Sequence, residues 1–424
     1  MMDLTRILRD QRQELDYSLK KKKIIEREAE EIFKNFLNSK LIKIISGIRR
    51  SGKSVFIYLL LKDKKFAYMN FDDERIINVN TDDILSSFYE IYGKDIENIF
   101  LDEIQNLDNW QLFVNRLHRS GFNIFITGSN SKLLSKELAT HLTGRHLTME
   151  LFPFSFREYL RAMEFRENKD TTKGESLLKS ELKKYLEIGG FPEIVVEREN
   201  PGNYLRELYS KIVERDIISR YKISFKKTFK EISSTLINNP SKLISYNKIK
   251  NNFGLGSEHT AKNYISYLEE SYLIFILNRF SFKPVEIEKS EKKIYVIDTG
   301  LINNMSFKLS DNYGSIYENA VAIELMRLKS FNKNMEIYYW KNILHEEVDF
   351  AIKEKSRVKE LIQVCYDLNN FDTKERELRS LIKASDELKC DNLFIITGNY
   401  KKEEKIKNKI INYIPLYEWL LKSR

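Results

Sequence analysis

The residues with the clearest chemical potential are the eight from Gly47 to Ser54, which read Gly-Ile-Arg-Arg-Ser-Gly-Lys-Ser. They fill the pattern G-x-x-x-x-G-K-[ST] without a substitution, and such a turn directs several backbone N–H groups at one phosphate. Lys53 is expected to reach the β- and γ-phosphates of ATP, and Ser54 is expected to ligate Mg²⁺. We predict that the nucleotide contacts Gly47, Ile48, Arg49, Arg50, Ser51, Gly52, Lys53, Ser54 and Val55.

Apolar residues on both sides of residues 47–54, the phosphate-binding loop, supply the elements that such a loop needs. Leu41–Ile45 reads as a buried strand, and Val55–Leu61 reads as an apolar helix. The N-terminus of that helix adds a partial positive charge beside the phosphates. A chance match in an ordinary glycine turn is the alternative, and the order of strand, loop and helix disfavours it.

A second strand, further along the chain, ends in two acids. Asn98–Leu101 reads as a short apolar strand, and Asp102 and Glu103 follow it directly. Ligands of open α/β sheets bind at the carboxyl ends of the strands. We therefore predict that Asp102 holds Mg²⁺, directly or through water, and that Glu103 polarises the attacking water. This signal is weak alone and becomes specific beside the phosphate-binding loop.

Two further polar residues are candidates for hydrolysis. Strand Phe122–Ile126 precedes Ser129 and Asn130, and either side chain can orient water; we favour Ser129. The alternative is a polar turn that caps a helix predicted at 132–143. Arg145 precedes another predicted strand and is expected to reach the nucleotide of a neighbouring subunit in a ring, where it stabilises transition-state charge. An ordinary surface ion pair is the alternative for Arg145.

Composition and periodicity divide the chain into five segments. Short β-type runs alternate with helical stretches near the phosphate-binding loop, which indicates an α/β fold with a parallel sheet. Later segments read as helical, then as a helical unit that ends in strands, then as mixed α/β. The predicted segments are an N-terminal helical segment at 1–40, a P-loop core at 41–155, a helical lid at 156–224, a winged-helix-like unit at 225–285 and a mixed domain at 286–424.

The overall composition permits nucleic-acid binding without requiring it. The 424 residues include 71 lysines and arginines against 62 acidic residues, a formal charge of +9. Cys365 and Cys390 share no motif, which argues against a disulfide framework or a zinc cluster. The N-terminus lacks a signal-peptide core and no apolar run approaches the length of a membrane span, so we expect a cytoplasmic protein without membrane contact.

Residues 241–284 carry the pattern of a helix-turn-helix followed by a wing. A short helix at 245–252 and a glycine-bearing turn precede a longer helix, and strands at 272–277 and 279–284 would form the wing. Glu269 and Glu270 would repel phosphate, so DNA contact and packing between proteins are both open. The candidate DNA contacts on the second helix are His259, Lys262, Asn263 and Tyr264.

Together these motifs resemble the AAA-type ATPases that are widespread in archaea and bacteria. The resemblance is carried by Gly47–Ser54, Leu101–Glu103, Ile126–Ser129 and Gly144-Arg145 before Leu151–Phe156. Segments 189–193, 214–217, 295–300, 318–319 and 347–350 resemble the domain of unknown function attached to such ATPases. The resemblance covers nearly the whole chain. It implies an AAA-type core, a helical lid, a winged-helix-like unit and a terminal domain similar to restriction-endonuclease folds.

The terminal domain departs from the pattern of an active nuclease. Nucleases of this fold use acidic metal ligands and an acid-x-Lys triplet whose lysine activates water. Glu318 and Asp349 stand where the ligands are expected, but the triplet at 363–365 reads Gln-Val-Cys. Glutamine still offers an oxygen, whereas cysteine cannot replace the ammonium group. We therefore expect a domain that is not catalytic and that binds DNA or holds its neighbours.

Three functions fit these observations. The first is Mg²⁺-dependent hydrolysis of ATP at a subunit interface, coupled to a conformational change of a C-terminal DNA-binding region. The second is an ATP-dependent switch or remodelling factor that acts on a protein partner. The third is an ATP-gated nuclease, which the missing lysine disfavours. We expect a homo-oligomer for the first function, and DNA stimulation with a steep salt dependence would distinguish it from the second.

Overall fold

The computed structural model describes residues 4–20, 23–76, 79–131, 144–305, 313–369, 371–406 and 408–422. The chain forms two compact units. The first unit comprises residues 1–154, 191–198 and 270–272, and the second comprises 155–190, 199–269 and 273–424. Two short segments, 191–198 and 270–272, therefore belong to the first unit although the chain on both sides of them belongs to the second.

The first unit is built on a five-stranded parallel sheet in the order β2-β3-β4-β1-β5. Strands β1 to β4 are short, largely apolar and almost fully buried, which is typical of parallel strands covered on both faces, whereas the edge strand β5 is only partly buried. Strand β4 lies between the strand before the phosphate-binding loop and the strand that ends in acid. The strands are β1 Ile42–Ser46, β2 Phe66–Asn70, β3 Asn98–Asp102, β4 Asn123–Gly128 and β5 His146–Glu150.

Helices and short 3₁₀ turns connect these strands. Together with the sheet they confirm the α/β core that the sequence predicts. The helix predicted at 132–143 lies outside the described residues. The helices are Leu4–Lys20, Glu28–Lys34, Lys53–Leu61, Thr81–Tyr92, Trp110–Arg119 and, from the later segment, Pro192–Glu197, with 3₁₀ turns at Glu74–Ile76 and Ile104–Asn106.

The N-terminal helix Leu4–Lys20 packs on the edge of this sheet. The side-chain amide of Gln11 donates to the carbonyl of Asn70 at 3.0 Å, and the N–H of Asn70 donates back to Gln11 at 2.9 Å. The same amide also donates to Asp73 at 3.0 Å. The segment that the sequence predicts as separate, 1–40, therefore lies within the first unit.

The second unit contains a nine-stranded mixed sheet in the order β13-β14-β12-β11-β10-β9-β7-β8-β6. Strands β7 and β9 join its two parts through a short parallel pairing of Asn278 with Tyr338 and Arg279 with Tyr339. The strands are β6 Leu243–Ile244, β7 Ile274–Arg279, β8 Lys292–Val296, β9 Met335–Lys341, β10 Glu347–Glu354, β11 Arg357–Cys365, β12 Leu393–Thr397, β13 Lys402–Ile406 and β14 Lys409–Pro415.

Helices of the second unit precede and surround this sheet. In the described residues none of the helices of either unit combines the length and the apolar character needed to cross a membrane. The helices are Phe156–Ala162, Thr172–Ile188, Pro201–Lys211, a π-helix at Ile212–Ser219, Lys226–Asn238, Tyr246–Asn252, Glu258–Glu270, Pro284–Lys289, Thr299–Met305, Tyr313–Phe331, Phe371–Leu388 and Leu416–Leu421.

The prediction of a wing is wrong for its second strand, 279–284. Residues 279–284 form no strand beyond Arg279, because Pro284 lacks an N–H group and begins the helix Pro284–Lys289. Strand β7 instead pairs antiparallel with β8, and β6 pairs with β8 as well. The predicted domain boundary at residue 285 therefore falls between two strands that pair in one sheet.

One of the candidate DNA contacts on the helix Glu258–Glu270 has to be corrected. Tyr264 is buried and stands edge-on to Phe229, with 5.1 Å between the ring centroids, so it belongs to the core of this unit. His259 and Lys262 are exposed on the same helix. The prediction for Tyr264 failed because position along a helix does not show which face packs inward.

Candidate nucleotide-binding site

The carboxyl ends of neighbouring parallel strands bring the predicted residues to one edge of the sheet. Ser46, the last residue of β1, is in register with Gly128 on β4, and Asn70 on β2 is in register with Asp102 on β3. The phosphate-binding loop leaves β1 at this edge, and Glu103 follows β3 here. Elements far apart in the sequence therefore place a phosphate-binding loop beside two acids.

Two glycines give the phosphate-binding loop its shape. Gly47 has φ 147°, and a Cβ there would lie 2.2 Å from the carbonyl oxygen of Leu151, so no side chain fits. Gly52 has φ 91°, in the region that favours glycine, and directly precedes the helix Lys53–Leu61. These glycines allow the chain to turn tightly from β1 into a helix N-terminus that faces the cavity.

Lys53 is buried and held at the phosphate-binding loop. Its ammonium group donates to the carbonyls of Gly47 and Ile48 at 3.0 Å each, and it lies 3.7 Å from a carboxylate oxygen of Glu103. The exposed fraction of its side chain is 3%, so the charge is shielded from water. A buried cation next to a helix N-terminus and glycine turn is suited to bind phosphate oxygens.

Asp102 is buried among hydroxyl groups. Thr127 donates a hydrogen bond to one of its carboxylate oxygens, and Tyr68 donates to the other at 3.3 Å. Ser54 lines the same cavity, and its hydroxyl acts to lower the pKa of Asp102, so the two predicted magnesium ligands lie near each other. Burial raises the pKa of Asp102 to about 6, and the charge of Glu103 adds to this effect. The hydroxyl groups of Thr127 and Ser54 act in the opposite direction and lower the pKa.

Glu103 has a backbone conformation that few residues other than glycine adopt. Its φ of 50° and ψ of 44° are left-handed, and its N–H group donates to Thr127 at 3.0 Å. Its carboxylate accepts hydrogen bonds from Ser129 at 3.0 Å and Gln105 at 2.5 Å. Burial alone would raise its pKa, but the charge of Lys53, followed by the bond from Gln105, outweighs burial and lowers it. Glu103 is therefore held in place as a carboxylate.

A cavity of about 400 Å³ lies over these residues. One wall is polar and includes Lys53, Ser54, Asp102 and Glu103. The lining also includes the apolar residues Ile24, Ile25, Leu59, Pro192 and Val196. Polar groups for phosphates together with apolar side chains for a flat base are the lining that a nucleotide needs.

The nine predicted contacts do not all line this cavity. Arg49, Arg50, Gly52, Lys53, Ser54 and Val55 line it. Within the phosphate-binding loop, the side chains of Ile48 and Ser51 are buried, and Gly47 allows its turn. Ser129 and Asn130 are also buried, and Ser129 contacts Glu103.

Some residues that position the phosphate-binding loop are not marked by any of the sequence motifs. Arg27 is buried and donates to the carbonyls of Ser51 at 2.9 Å and Phe152 at 2.7 Å. Arg49 lies 3.2 Å from Asp72, and that pair also lines the cavity. No local pattern marks Arg27, because its acceptors are backbone carbonyls distant in sequence.

A sequence pattern does point to Thr127. It stands in the polar run Thr-Gly-Ser-Asn that follows the apolar part of β4, the run from which the sequence predicts Ser129 or Asn130. Its hydroxyl donates to Asp102 and accepts from the N–H of Glu103. Thr127 therefore links the two acids directly.

Arg145 lies away from the cavity of its own chain. Its backbone carbonyl accepts from Ile42, and the next residue, His146, is in register with Ile42 at the start of β1. This is the amino edge of the sheet, whereas the phosphate-binding loop leaves from the carboxyl edge. Arg145 is exposed there, and its role across subunits stays a prediction.

Comparisons with known families agree with the geometry. Residues 39–160 match the AAA domain, residues 179–312 match a domain of unknown function (DUF8612), and residues 313–419 match another (DUF4143). The first match confirms the P-loop ATPase resemblance of the core and its nucleotide-binding character. The two others carry no named activity.

Similar proteins occur in archaea and bacteria. The uncharacterized protein MJ1544 of Methanocaldococcus jannaschii is 42% identical over 426 residues, which cover 95% of this chain and 92% of that protein. An uncharacterized protein of Haemophilus influenzae is 30% identical over 404 residues, which cover 91% of this chain and 96% of that protein. Among solved structures, the Walker-type ATPase PABY2304 of Pyrococcus abyssi is similar over 66% of this chain and 96% of that chain, with 13% identity and a TM-score of 0.42.

Proposed function

Because this chain belongs to the family of AAA-domain proteins that includes MJ1544, we propose that it binds ATP with Mg²⁺ and hydrolyses it. The observation that carries the proposal is the convergence of Lys53, Ser54, Asp102 and Glu103 on one cavity. A buried cation, a hydroxyl–carboxylate pair and a second carboxylate are the groups that this reaction uses.

The residues present fit a magnesium ion. Ser54 and Asp102 offer oxygen atoms at the same cavity, and Mg²⁺ prefers oxygen ligands from one or two side chains together with phosphates. Bound there, Mg²⁺ neutralises charge on the β- and γ-phosphates. Thr127 and Tyr68 keep the carboxylate of Asp102 oriented toward the cavity, since each donates to one of its oxygens.

Glu103 is the residue that we assign to the attacking water. Its carboxylate faces the cavity and is fixed by Ser129 and Gln105, so it can accept a hydrogen bond from water without losing its orientation. Lys53 leaves the carbonyls of Gly47 and Ile48 when phosphate oxygens replace them. Ser129 acts in this scheme by positioning Glu103.

We further propose that hydrolysis takes place at an interface between subunits. Arg145 is exposed at the edge of the sheet opposite the phosphate-binding loop, so it cannot serve the cavity of its own chain through a small movement. That placement suits a cation that a neighbouring subunit supplies to the γ-phosphate.

The segment 191–198, which lies within the predicted lid, lines the cavity and is suited to couple nucleotide binding to the second unit. Glu193, in the first unit, lies 2.6 Å from Arg50 of the phosphate-binding loop. Gly190, just before it along the chain, belongs to the second unit and donates its N–H to Asp298 at 2.7 Å. Gly300 donates to the other oxygen of Asp298 at 2.9 Å. A shift of Glu193 on nucleotide binding would therefore move a chain that is anchored at Asp298, two residues after strand β8.

We propose DNA as the partner of the second unit. The helix Glu258–Glu270 presents His259 and Lys262 to solvent, and it follows a short helix and a turn as in DNA-binding helix pairs. Acidic Glu258 lies on the same exposed surface, and this mixed charge favours a protein partner as the alternative.

An ATPase assay with and without DNA tests the proposal. The full chain is assayed with Mg²⁺ and ATP alone, and then with single-stranded, duplex or branched DNA at several salt concentrations. Faster hydrolysis with DNA, lost at high salt, supports the coupling. Hydrolysis that ignores every DNA supports the protein-partner alternative. No hydrolysis by the wild-type chain under any of these conditions would overturn the ATPase itself.

A further inference from the structure

A buried ammonium group fills the acidic cluster of the second unit. The exposed fraction of the Lys293 side chain is 3%, and its nitrogen lies 2.7 Å from Asp349, 2.8 Å from Glu318 and 2.8 Å from Glu347. We define these four residues as the Lys293 cluster. Three carboxylates around one cation at these distances form direct, charge-assisted hydrogen bonds.

Three elements build the Lys293 cluster. Lys293 lies on strand β8, and Glu318 lies on the helix Tyr313–Phe331. Glu347 and Asp349 stand at alternate positions of strand β10, so they share one face of the sheet. The sequence predicts Glu318 and Asp349 as metal ligands and gives no role to Lys293, because strand β8 is distant from both along the chain. Glu347 lies in the segment 347–350 but has no predicted role of its own.

The neighbouring polar atoms are also engaged. The second oxygen of Asp349 accepts from the N–H of Val364 at 2.8 Å. The side-chain oxygen of Gln363, expected to replace the acid of a nuclease triplet, accepts from the N–H of Asp349 at 3.2 Å, and its amide donates to Glu377 at 2.5 Å. Tyr295 donates to Glu318 at 2.7 Å. The donor set therefore forms a closed hydrogen-bond network.

This arrangement does not fit the divalent metal ion that an endonuclease-like domain requires. A metal ion needs oxygen atoms around an open position, and here the ammonium group of Lys293 occupies the centre of the carboxylates. In the part of the chain that the structure describes, no group of histidine, cysteine and acidic side chains has the arrangement of a metal site. The triplet lacks its lysine, and the available lysine sits where the metal would be.

We propose that Lys293 is the built-in cation of this cluster: it takes the place of a divalent metal ion, and the C-terminal domain binds no such ion. The domain keeps the acidic residues because together with Lys293 they tie strand β8, strand β10 and the helix Tyr313–Phe331 into one fold. Metal-dependent cleavage of nucleic acid is absent as a consequence. This inference does not depend on ATP hydrolysis.

Manganese binding to the full chain without nucleotide tests the proposal. Mn²⁺ binding is measured by calorimetry and electron paramagnetic resonance for the wild type and for Asp349→Asn. Both chains are expected to bind the same number of ions with the same affinity, because the phosphate-binding loop is unchanged. Loss of a Mn²⁺ site in Asp349→Asn relative to the wild type would overturn the proposal.

The variant Lys293→Ala tests whether a metal ion binds to the carboxylates once the ammonium group is removed. Removing the ammonium group leaves the carboxylates without a cation, so the unfolding midpoint is expected to fall and Mn²⁺ is expected to raise it again. One additional Mn²⁺ site should appear, and it should be lost in the double variant Lys293→Ala with Asp349→Asn. A folded Lys293→Ala chain without the additional site would contradict the claim that Lys293 stands in for the metal. If this variant does not fold, the comparison of Mn²⁺ binding between the wild type and Asp349→Asn still tests the proposal.

Discussion

The ammonium group of Lys53 lies 3.7 Å from a carboxylate oxygen of Glu103; the Lys53 side chain is buried, and that of Glu103 is 14% exposed. The residue that we assign to the phosphates and the residue that we assign to the attacking water thus form one ion pair. Burial by itself would raise the pKa of Glu103, and Lys53 is the first of the groups that outweigh it. Binding and chemistry are therefore linked through this pair.

Replacing Lys53 with alanine is expected to remove most of the nucleotide affinity. Charge-assisted hydrogen bonds contribute about 1.5–3 kcal/mol, so the dissociation constant for ATP should rise about 10- to 100-fold. Fluorescent-nucleotide titration measures this change. Lys65→Ala is the control, because Lys65 pairs with Asp95 in an exposed ion pair outside the cavity. Equal affinity in both variants would contradict the role of Lys53.

Replacing Glu103 with glutamine is expected to preserve ATP binding and stop turnover. Glutamine keeps the shape and still accepts from Ser129, but it does not take up a proton, and general-base contributions are about 10²- to 10⁴-fold. Single-turnover hydrolysis beside an ATP titration separates the two effects. A variant that hydrolyses ATP at the wild-type rate would show that another group activates the water.

Replacing Thr127 with valine tests the residue that links the two acids. Valine keeps the shape of threonine but removes the hydrogen bonds to Asp102 and to the N–H of Glu103. Each such bond contributes about 1 kcal/mol, so the Mg²⁺ concentration for half-maximal hydrolysis should rise about 5- to 30-fold. Thr148→Val on strand β5, outside the cavity, should leave it unchanged. An unchanged Mg²⁺ requirement in Thr127→Val would refute this role.

Replacing Arg145 with alanine should lower turnover without weakening ATP binding. Arginines supplied to a γ-phosphate contribute on the order of 10³-fold in rate. Mixing Arg145→Ala chains with Glu103→Gln chains should restore activity, because the second chain supplies its arginine to the intact site of the first. Mixtures without recovery, or a chain that stays monomeric with ATP, would speak against a site shared between subunits.

The pH dependence of stability is expected to depend on Asp298. Burial raises the pKa of this carboxyl to about 6 despite the N–H groups of Gly190 and Gly300, whereas its ordinary value is 3.8. Between these values the folded chain holds a proton that the unfolded chain has released, so this group lowers the free energy of unfolding as pH rises, by about 3 kcal/mol in total.

Denaturant unfolding between pH 4 and pH 7 measures this effect. The difference in unfolding free energy between the wild type and Asp298→Asn should shrink as pH rises from 4 to 6 and level off above. Asp170→Asn is the control, because Asp170 is exposed. A difference that stays constant with pH would mean that Asp298 titrates at its ordinary value.

Sequence patterns predicted the parts of the site that are local in the chain. The phosphate-binding loop and the acids Asp102 and Glu103 follow apolar strands, and parallel strands align such ends at one edge. Patterns could not reveal Arg27, whose acceptors are Ser51 and Phe152, because that contact arises only when the chain has folded.

The same reasoning explains the errors in the second unit. The wing strand at 279–284 was expected from residue types, but the proline at 284 begins a helix and the pairing strand β8 comes later in the sequence. The cation beside Asp349 is Lys293, which comes from strand β8 and not from the triplet at 363–365. Partners contributed by distant strands are determined by tertiary packing, and a single sequence does not show which strands pack together.

Binding of Mg²⁺-ATP to the purified full chain tests the central claim most directly. Isothermal titration should show one site for each chain, with a dissociation constant in the micromolar to low millimolar range, and Lys53→Ala should weaken it. A wild-type chain that binds no ATP at millimolar concentration, in the presence of Mg²⁺, would contradict the account.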